Sequence, residues 1–284
     1  MSRIREEITL IENVSPGQRA LVSPMVGRTW LDFNIELTNI TLAQAKNVRV
    51  LLVSPNRTIT LQEFKDGEEL KAFNDRYGRK TSTSNLSFYF RKPELENEGQ
   101  SMATALGTGG LQALRVEFDI DGAVVSPGVS AWGRKTANRP VSAGILPYVV
   151  NHNVGGQAEG ENHYDAIEKR DRIAAIHVLN AAVDHLKLKV DDAVVFDLNR
   201  ARATWDVEVA GRTQYAAAEG LYIDFTTAGV LDEALVMQAS GGRQIQQMRL
   251  SATMGATYSN TTRYLVEYLS TWASLAGGNT QKAA

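Results

Sequence analysis

The segment Leu114-Arg115-Val116-Glu117-Phe118-Asp119-Ile120, followed by Asp121-Gly122, shows the pattern that decides the fold. Its apolar residues alternate with charged ones, so an extended chain presents one apolar face and one charged face. Asp121-Gly122 is a typical turn signal. The segment therefore predicts a half-buried β-strand that ends at a tight turn.

The same alternation recurs in both halves of the chain, whereas helical periodicity is rare. Further strands are predicted at Leu31–Leu37, Val48–Val50, Leu86–Phe90, Leu186–Val190, Leu221–Phe225, Met248–Ala252 and Arg263–Leu269. The best helix candidate begins near Thr60, which has capping-box spacing with Glu63, and ends at Gly78, with Asp66-Gly67 interrupting it. We therefore predict an all-β protein with minor helical insertions.

The spacing of the strands suggests that the chain contains a duplication. Successive strands are 39 and 25 residues apart in the first half and 37 and 24 residues apart in the second, measured from starts at Asn47, Leu86, Leu111, Asp184, Leu221 and Ile245. Glycines and prolines punctuate the chain between Pro127 and Gly160. We place the domains at residues 1–139 and 140–284, with a frayed tail from about Ala276. Two unrelated β-sandwiches would also produce this spacing.

Composition excludes several classes of protein. The chain has 284 residues, of which 43% are hydrophobic and 22% charged, values that exclude whole-chain disorder. It has no cysteine, so it has neither disulfides nor a cysteine-based zinc site. The net charge is −2, and the basic residues near the amino terminus are balanced by acidic ones, which disfavours direct nucleic-acid binding. The apolar run Ile173–Val183 is too short to cross a bilayer.

No catalytic residue can be nominated. The histidines do not form a metalloprotease motif, and no nucleophile elbow is present. Gly107-Thr108-Gly109-Gly110 lacks the lysine of a phosphate loop and favours a tight turn. The polar group from Glu159 to Asp165 lies in a glycine-rich segment, where solvated residues are expected. We predict no enzymatic activity and no required cofactor.

Asp119 and Asp121 are the candidate metal ligands. Two carboxylates two residues apart on a strand point to the same side, and calcium prefers hard oxygen ligands. Calcium takes six to eight oxygens, so other loops or a neighbouring subunit would have to complete the shell. The alternative interpretation is a solvated strand end before a turn.

Several short motifs occur in an order and spacing that closely resemble the major capsid protein of corticoviruses, which are tailless icosahedral bacterial viruses with an internal membrane. The resemblance runs from about residue 13 to residue 272. The motifs are Asn47-Val48-Arg49-Val50, Ala105-Leu106-Gly107-Thr108, Gly110-Leu111, Phe118-Asp119-Ile120-Asp121, Arg172-Ile173-Ala174-Ala175-Ile176-His177, Val266-Glu267-Tyr268 and Trp272.

The resemblance implies a double jelly roll, meaning two tandem eight-stranded sandwiches in one polypeptide. It implies a homotrimer that forms a pseudo-hexagonal capsomer, tiles an icosahedral shell and contacts neighbouring capsomers, a vertex or penton protein and the viral membrane beneath. It also implies structural calcium, although Leu250–Met254 in the second half is less acidic than expected of a relative. The protein would be synthesised in the bacterial cytoplasm and reside in the virion.

Two alternatives remain open at this point. One is a minor virion protein, such as a vertex or spike subunit on the same scaffold. The other is a carbohydrate-binding β-sandwich module, which would use exposed aromatic residues and would not need to oligomerise. The role of the glycine-rich segment 151–161 is not indicated by any pattern.

Overall fold

The computed structural model describes residues 4–169, 171–237 and 245–277. The chain divides into two compact units. Unit 1 comprises residues 1–75, 79–148 and 270–284, and unit 2 comprises residues 76–78 and 149–269, each within the described ranges. Both units consist mainly of antiparallel β-sheet.

The first part of the chain contains ten strands and two helices within the described residues. The strands are β1 (Ile4–Glu7), β2 (Ile11–Glu12), β3 (Arg19–Val22), β4 (Thr29–Thr38), β5 (Ala45–Val53), β6 (Thr58–Asp66), β7 (Asn85–Tyr89), β8 (Leu106–Gly107), β9 (Ala113–Ile120) and β10 (Gly128–Thr136). The helices are α1 (Gly67–Arg76) and α2 (Glu98–Ala103).

The second part contains nine strands and two helices within the described residues. The strands are β11 (Ile145–Val154), β12 (Gly160–Tyr164), β13 (Arg172–Leu179), β14 (Val183–Val190), β15 (Ala193–Asn199), β16 (Leu221–Asp224), β17 (Leu235–Val236), β18 (Met248–Met254) and β19 (Thr262–Thr271). The helices are α3 (Arg200–Val209) and α4 (Trp272–Gly277).

The strands form two pairs of sheets that repeat one topology. Sheet A has the order β1-β10-β4-β7, with β8 also on β4, and sheet C has the order β11-β19-β13-β16, with β17 also on β13. Sheet B has the order β2-β3-β9-β5-β6, and sheet D has the order β12-β18-β14-β15. Sheets A and B belong to the first repeat and sheets C and D to the second. The same strand order in both repeats supports the duplication predicted from the spacing.

The helices repeat as well. Helix α1 follows the β5–β6 hairpin and precedes β7, while α3 follows the β14–β15 hairpin and precedes β16. Each of these two helices has ten residues. Helices α1 and α3 are therefore equivalent elements of the two repeats.

Each strand predicted from alternation is confirmed. The deciding segment Leu114–Ile120 lies in β9, where Leu114, Val116 and Phe118 are fully buried and the residues between them are at least partly exposed. Strand β9 pairs with β3 on one side and β5 on the other, so it lies inside sheet B. Alternation correctly indicated a strand with one buried face.

The predicted start of the first helix is wrong. Thr60 and Glu63 lie in strand β6, which pairs with β5, and the helix begins only at Gly67. The cap is Asp66, whose side chain accepts a hydrogen bond from the backbone N–H of Glu69 at 2.9 Å. The predicted stop is confirmed, because α1 ends at Arg76 and Gly78 follows with φ of +64°.

The two units do not divide the chain at residue 139. Unit 1 continues to Tyr148, and the segment after Arg139 is tied to it by the backbone N–H of Val141, which donates to the carbonyl of Gly109 at 3.0 Å. The chain also returns to unit 1 at Ser270, and α4 packs against the short 3-10 turn Val141–Ala143. In the predicted tail, Ala276 and Gly277 end α4, and the remaining positions lie outside the described residues.

The cores of the two units use different aromatic residues. The six buried phenylalanines of unit 1 are Phe33, Phe64, Phe73, Phe88, Phe90 and Phe118. The six buried tyrosines of unit 2 are Tyr77, Tyr164, Tyr215, Tyr222, Tyr264 and Tyr268. A buried phenol usually has a hydrogen-bond partner, which a phenyl ring does not need. Within the described part of unit 2, polar atoms lie within hydrogen-bond distance of the hydroxyls of Tyr77, Tyr215, Tyr222 and Tyr268 but not of Tyr164.

Candidate interaction surfaces

The outer face of sheet C is covered within unit 2. His177 on β13, Tyr222 on β16 and Glu267 on β19 are each at most 1% exposed. Their neighbours Ile176, Ile223 and Val266 point to the opposite face of the same strands and are also buried. Sheet C is therefore buried on both faces.

Tyr77 is part of this cover, although it comes from the segment directly after α1. Its hydroxyl donates a hydrogen bond to Oε2 of Glu267 at 2.8 Å and lies 3.4 Å from Nε2 of His177. The other ring nitrogen of His177 lies 3.1 Å from the hydroxyl of Tyr215. Tyr222 stacks on the His177 ring with centroids 4.9 Å apart. We call these five residues the Tyr77 cluster.

A buried ion pair adjoins the Tyr77 cluster. Arg212 pairs with Asp224 at the end of β16, and both side chains are at most 2% exposed. Arg212 also donates to the backbone carbonyl of Thr226 at 2.5 Å, and the Asp224 carboxylate accepts from the Thr226 backbone at 2.8 Å. These hydrogen bonds offset part of the desolvation cost of burying two charges.

Unit 1 also buries charges, both on sheet A, where Asp32 and Lys135 are 2% and 7% exposed, and in the loop after β7. In the loop after β7, Glu94 lies 2.6 Å from Arg79 and 3.4 Å from Lys92, and all three side chains are at most 5% exposed. Burial alone would raise the pKa of Glu94, but the two cations outweigh it and lower the pKa to about 2. The Glu94 carboxylate is therefore ionised at neutral pH.

The outer face of sheet A differs from that of sheet C because part of it is open. Asn34 and Trp132 are half-buried, while Glu36 and Ser130 are exposed. These four residues share one face, since the register pairs Trp132 with Asn34 and Ser130 with Glu36. We call them the open face of sheet A.

Unit 2 carries an exposed apolar surface on α3 and β15. Trp205 and Val209 on α3 are 68% and 67% exposed, and Val194 and Val195 on β15 are 52% and 42% exposed. Strand β15 is the edge of sheet D. We call these four residues the α3 patch. The sequence analysis did not predict α3. Asn199 is a local signal for the start of this helix, because its side chain accepts a hydrogen bond from the N–H of Arg202 and so caps it.

A groove of about 440 Å³ lies beside the α3 patch. It is lined by Leu198, Ala201, Arg202, Trp205 and Asp206. Burial and the neighbouring Asp224 raise the pKa of Asp206, which is half-buried. Arg202, Trp205 and Val209 share the exposed side of the helix. An exposed tryptophan beside an arginine is typical of a protein–protein contact.

Asp119 and Asp121 already have cationic partners. Asp119 accepts a hydrogen bond from Nε of Arg19 at 2.6 Å and one from Asn47 at 2.7 Å, and these contacts lower its pKa. Asp121 lies 2.5 Å from Nζ of Lys46, which lowers its pKa as well. The cationic partners neutralise both carboxylates, and these contacts differ from the set of oxygen ligands that surrounds a calcium ion. Calcium ligation by the pair stays a prediction.

The described ranges contain no cluster of three or more histidine, aspartate or glutamate side chains arranged to hold a metal ion. In the segment from Glu159 to Asp165, His163 hydrogen-bonds to Ser251 at 2.9 Å and Asp165 pairs with Arg249 at 3.1 Å. Across the same ranges, none of the helices has the length and apolar character needed to cross a membrane.

Two family models match the chain and together cover both repeats. The model described as viral coat protein P2 N-terminal domain matches residues 5–136. The model described as viral coat protein P2 C-terminal domain matches residues 146–272. The matched segments follow one another in the order of the two repeats.

Individual relatives agree with the family models. The chain is 29% identical to the major capsid protein P2 of Pseudoalteromonas phage PM2, over 93% of this chain and 95% of that protein. It resembles the crystal structure of P2 from bacteriophage PM2 with a TM-score of 0.85 and 27% identity, covering 95% of this chain and 98% of that one. A chain in the atomic structure of Sulfolobus Turreted Icosahedral Virus shares the fold at 10% identity, with a TM-score of 0.66 and coverage of 99% and 95%.

Proposed function

The chain belongs to the viral coat protein P2 family, and from this membership we propose that it is the major capsid protein of an icosahedral, membrane-containing bacterial virus. The observation that carries the proposal is the relationship to a major capsid protein over nearly the whole length of both chains. The protein would therefore reside in the capsid of the virion, after synthesis in the cytoplasm of the bacterial host.

We further propose that the functional unit is a homotrimer. A chain with two repeats of one topology presents two similar faces, so three copies around an axis present six and form a pseudo-hexagonal tile. Such tiles would contact neighbouring capsomers laterally and a vertex or penton protein at the fivefold positions. No residue of the sequence can be nominated as catalytic, which supports the proposal of a purely structural role.

The nearly neutral charge of the protein supports a shell that does not contact the genome directly. The net charge is −2, with 30 basic and 32 acidic residues, whereas direct packaging of nucleic acid requires many phosphate contacts from lysine and arginine. We propose that the shell lies over the internal viral membrane and does not bind the nucleic acid. Loops at one end of the sandwiches would then face the membrane.

The trimer is tested by mass in solution. Sedimentation equilibrium at micromolar concentration, with and without calcium, should give three times the chain mass of 31.1 kDa. The mass of a single chain under both conditions would contradict the proposed trimer. A matched measurement in moderate urea would show whether the trimer dissociates before the chain unfolds.

Abundance in particles separates a major capsid protein from a minor virion protein. In a stained gel of purified particles, the band of this chain should dominate, because a shell protein is present in many more copies than a vertex or spike subunit. A band of low intensity would favour the minor-protein alternative. Glycan binding by a solitary chain would favour the carbohydrate-binding alternative.

A further inference from the structure

The internal repeat indicates what covers the open face of sheet A. In unit 2, the equivalent face of sheet C is covered partly by Tyr77, from the residues directly after α1. Tyr77 contacts His177 and Tyr222, which together with Leu265 form a row across β13, β16 and β19. The corresponding row in sheet A runs across β10, β4 and β7 as Trp132, Asn34 and Ser87.

Helix α3 is the equivalent of α1, yet its carboxyl-terminal half lacks a comparable cover. The two helices have equal length, so Ala72 and Arg76 of α1 correspond to Trp205 and Val209 of α3. Ala72 and Arg76 are half-buried, whereas Trp205 and Val209 are 68% and 67% exposed. A helix face that is half-buried in one repeat and exposed in the other points to an intermolecular partner for the exposed copy.

We propose that the α3 patch of one copy docks on the open face of sheet A of a second copy. The proposal rests on the proposed function, because it supplies the contact that joins the copies of the trimer. The segment after α1 completes the second repeat of its own chain, and α3 completes the first repeat of the next chain. The contact is head-to-tail, so it does not stop at a dimer, and in the proposed trimer it closes into a ring of three copies.

The two surfaces are chemically complementary. Arg202 lies on the exposed side of α3 with Trp205 and Val209, and it lines the groove together with Trp205. On the open face, the Glu36 carboxylate is exposed and accepts a hydrogen bond from the Ser130 hydroxyl at 3.2 Å. Arg202 would pair with Glu36, while Trp205 would pack against Trp132.

The natural absence of cysteine allows a direct test by cross-linking. Copies carrying Arg202→Cys are mixed with copies carrying Glu36→Cys, exchanged in mild urea and then oxidised. We expect a two-chain band from the mixture and none from either variant alone. The double variant should give a ladder that ends at three chains. Copies carrying Val125→Cys, at a turn residue that is 77% exposed, serve as the control partner for Arg202→Cys and should not cross-link.

A second pair of variants tests the same contact without a cross-linking reaction. Val209→Asp should weaken trimer formation at least about tenfold, because it places a charge in the apolar contact. Val125→Asp is the matched control and should leave the trimer unchanged. Both residues are exposed in the single chain, so neither substitution should alter its circular dichroism.

The outcomes separate the two proposals. A wild-type trimer that forms no Arg202–Glu36 cross-link and is insensitive to Val209→Asp would overturn the docking proposal and leave the proposed function standing. Cross-linking of Arg202→Cys copies to one another would also overturn it, since that result requires a symmetric contact. Failure of the wild-type chain to form any trimer would instead contradict the proposed function.

Discussion

Sheets A and C have the same strand order but opposite relations to solvent. Sheet C is buried on both faces through most of β13, β16 and β19. Sheet A alternates between buried and accessible residues from Asn34 onward. The comparison teaches that a duplicated sandwich keeps its topology while the environment of each copy selects different residues for the outer face.

The difference extends to the chemistry of burial. Unit 1 packs phenylalanines that need no hydrogen-bond partner, and its buried ions lie in the loop around Glu94 and at Asp32 and Lys135 on sheet A. Unit 2 packs tyrosines and places His177, Asp224 and Glu267 on the sheet itself. Polar groups on a covered face need hydrogen-bond partners within the protein, whereas polar groups on an open face can bond to water.

The largest expected effect comes from removing a carboxylate from the covered face. Asp224→Ala should destabilise unit 2 by about 3–5 kcal/mol, because it leaves the Arg212 guanidinium buried without its counter-charge. The equivalent change in sheet A, Asp32→Ala, should cost roughly 1–2 kcal/mol, because the paired Arg134 side chain is 47% exposed and water can solvate it. Urea denaturation followed by circular dichroism compares the two. Equal losses would contradict the distinction between the faces.

Acid should weaken unit 1 through Glu94. Its pKa is about 2 in the folded protein and 4.5 ordinarily, so the ionised form stabilises the fold fully above pH 4.5. This contribution, about 3 kcal/mol, is lost as the pH falls from 4.5 through 2. Denaturation at several pH values checks the slope. In Glu94→Gln, stability should be lower at neutral pH and should change less over that range.

Removal of single hydroxyls should give a smaller contrast. Tyr77→Phe should cost about 1.5–3 kcal/mol, because the buried Glu267 loses a hydrogen-bond donor. Tyr89→Phe, on the less covered sheet A, should cost about 0.5–1 kcal/mol, since its hydroxyl donates to the carbonyl of Lys80 at an exposed position. Urea denaturation of both variants measures the difference. A greater loss for Tyr89→Phe would reverse the comparison.

The smallest effect is expected at the pair predicted to bind calcium. Asp119→Asn should change stability by at most about 1 kcal/mol, because Arg19 and Asp119 are both substantially exposed. Calcium binding is measured by equilibrium dialysis of Asp119→Asn and Asp121→Asn beside the unmodified chain. Reduced binding is expected if the predicted ligation is correct, and unchanged binding in both variants would remove them as ligands.

The predicted helix shows where local patterns are insufficient. Thr60 and Glu63 match a capping box, but the β-branched residues of Thr58-Ile59-Thr60 also suit a strand, and pairing with β5 decides between the two. The actual cap, Asp66, lies within the dipeptide that was predicted to interrupt the helix. A three-residue spacing is too short to exclude strand pairing, which depends on residues elsewhere in the chain.

The candidate site was only partly visible in the sequence. Asp119 and Asp121 were identified as carboxylates beside a turn, but nothing local indicated that Arg19 and Lys46 would neutralise them. Trp205 has no local sequence signal that distinguishes an exposed tryptophan from a core residue. Exposure depends on how strands far apart in the chain come together, so a single sequence does not report it.

The strands, their repeated spacing and the lack of cysteine chemistry follow from the sequence alone, because alternation and composition are local properties of the chain. Only the tertiary structure decided that residues 76–78 belong to unit 2 and that residues from Ser270 return to unit 1. It also decided that sheet C is covered while sheet A stays partly open. Alternation reports that one face of a strand is buried, but the burial of the second face depends on segments more than a hundred residues away, as with Tyr77 and Glu267.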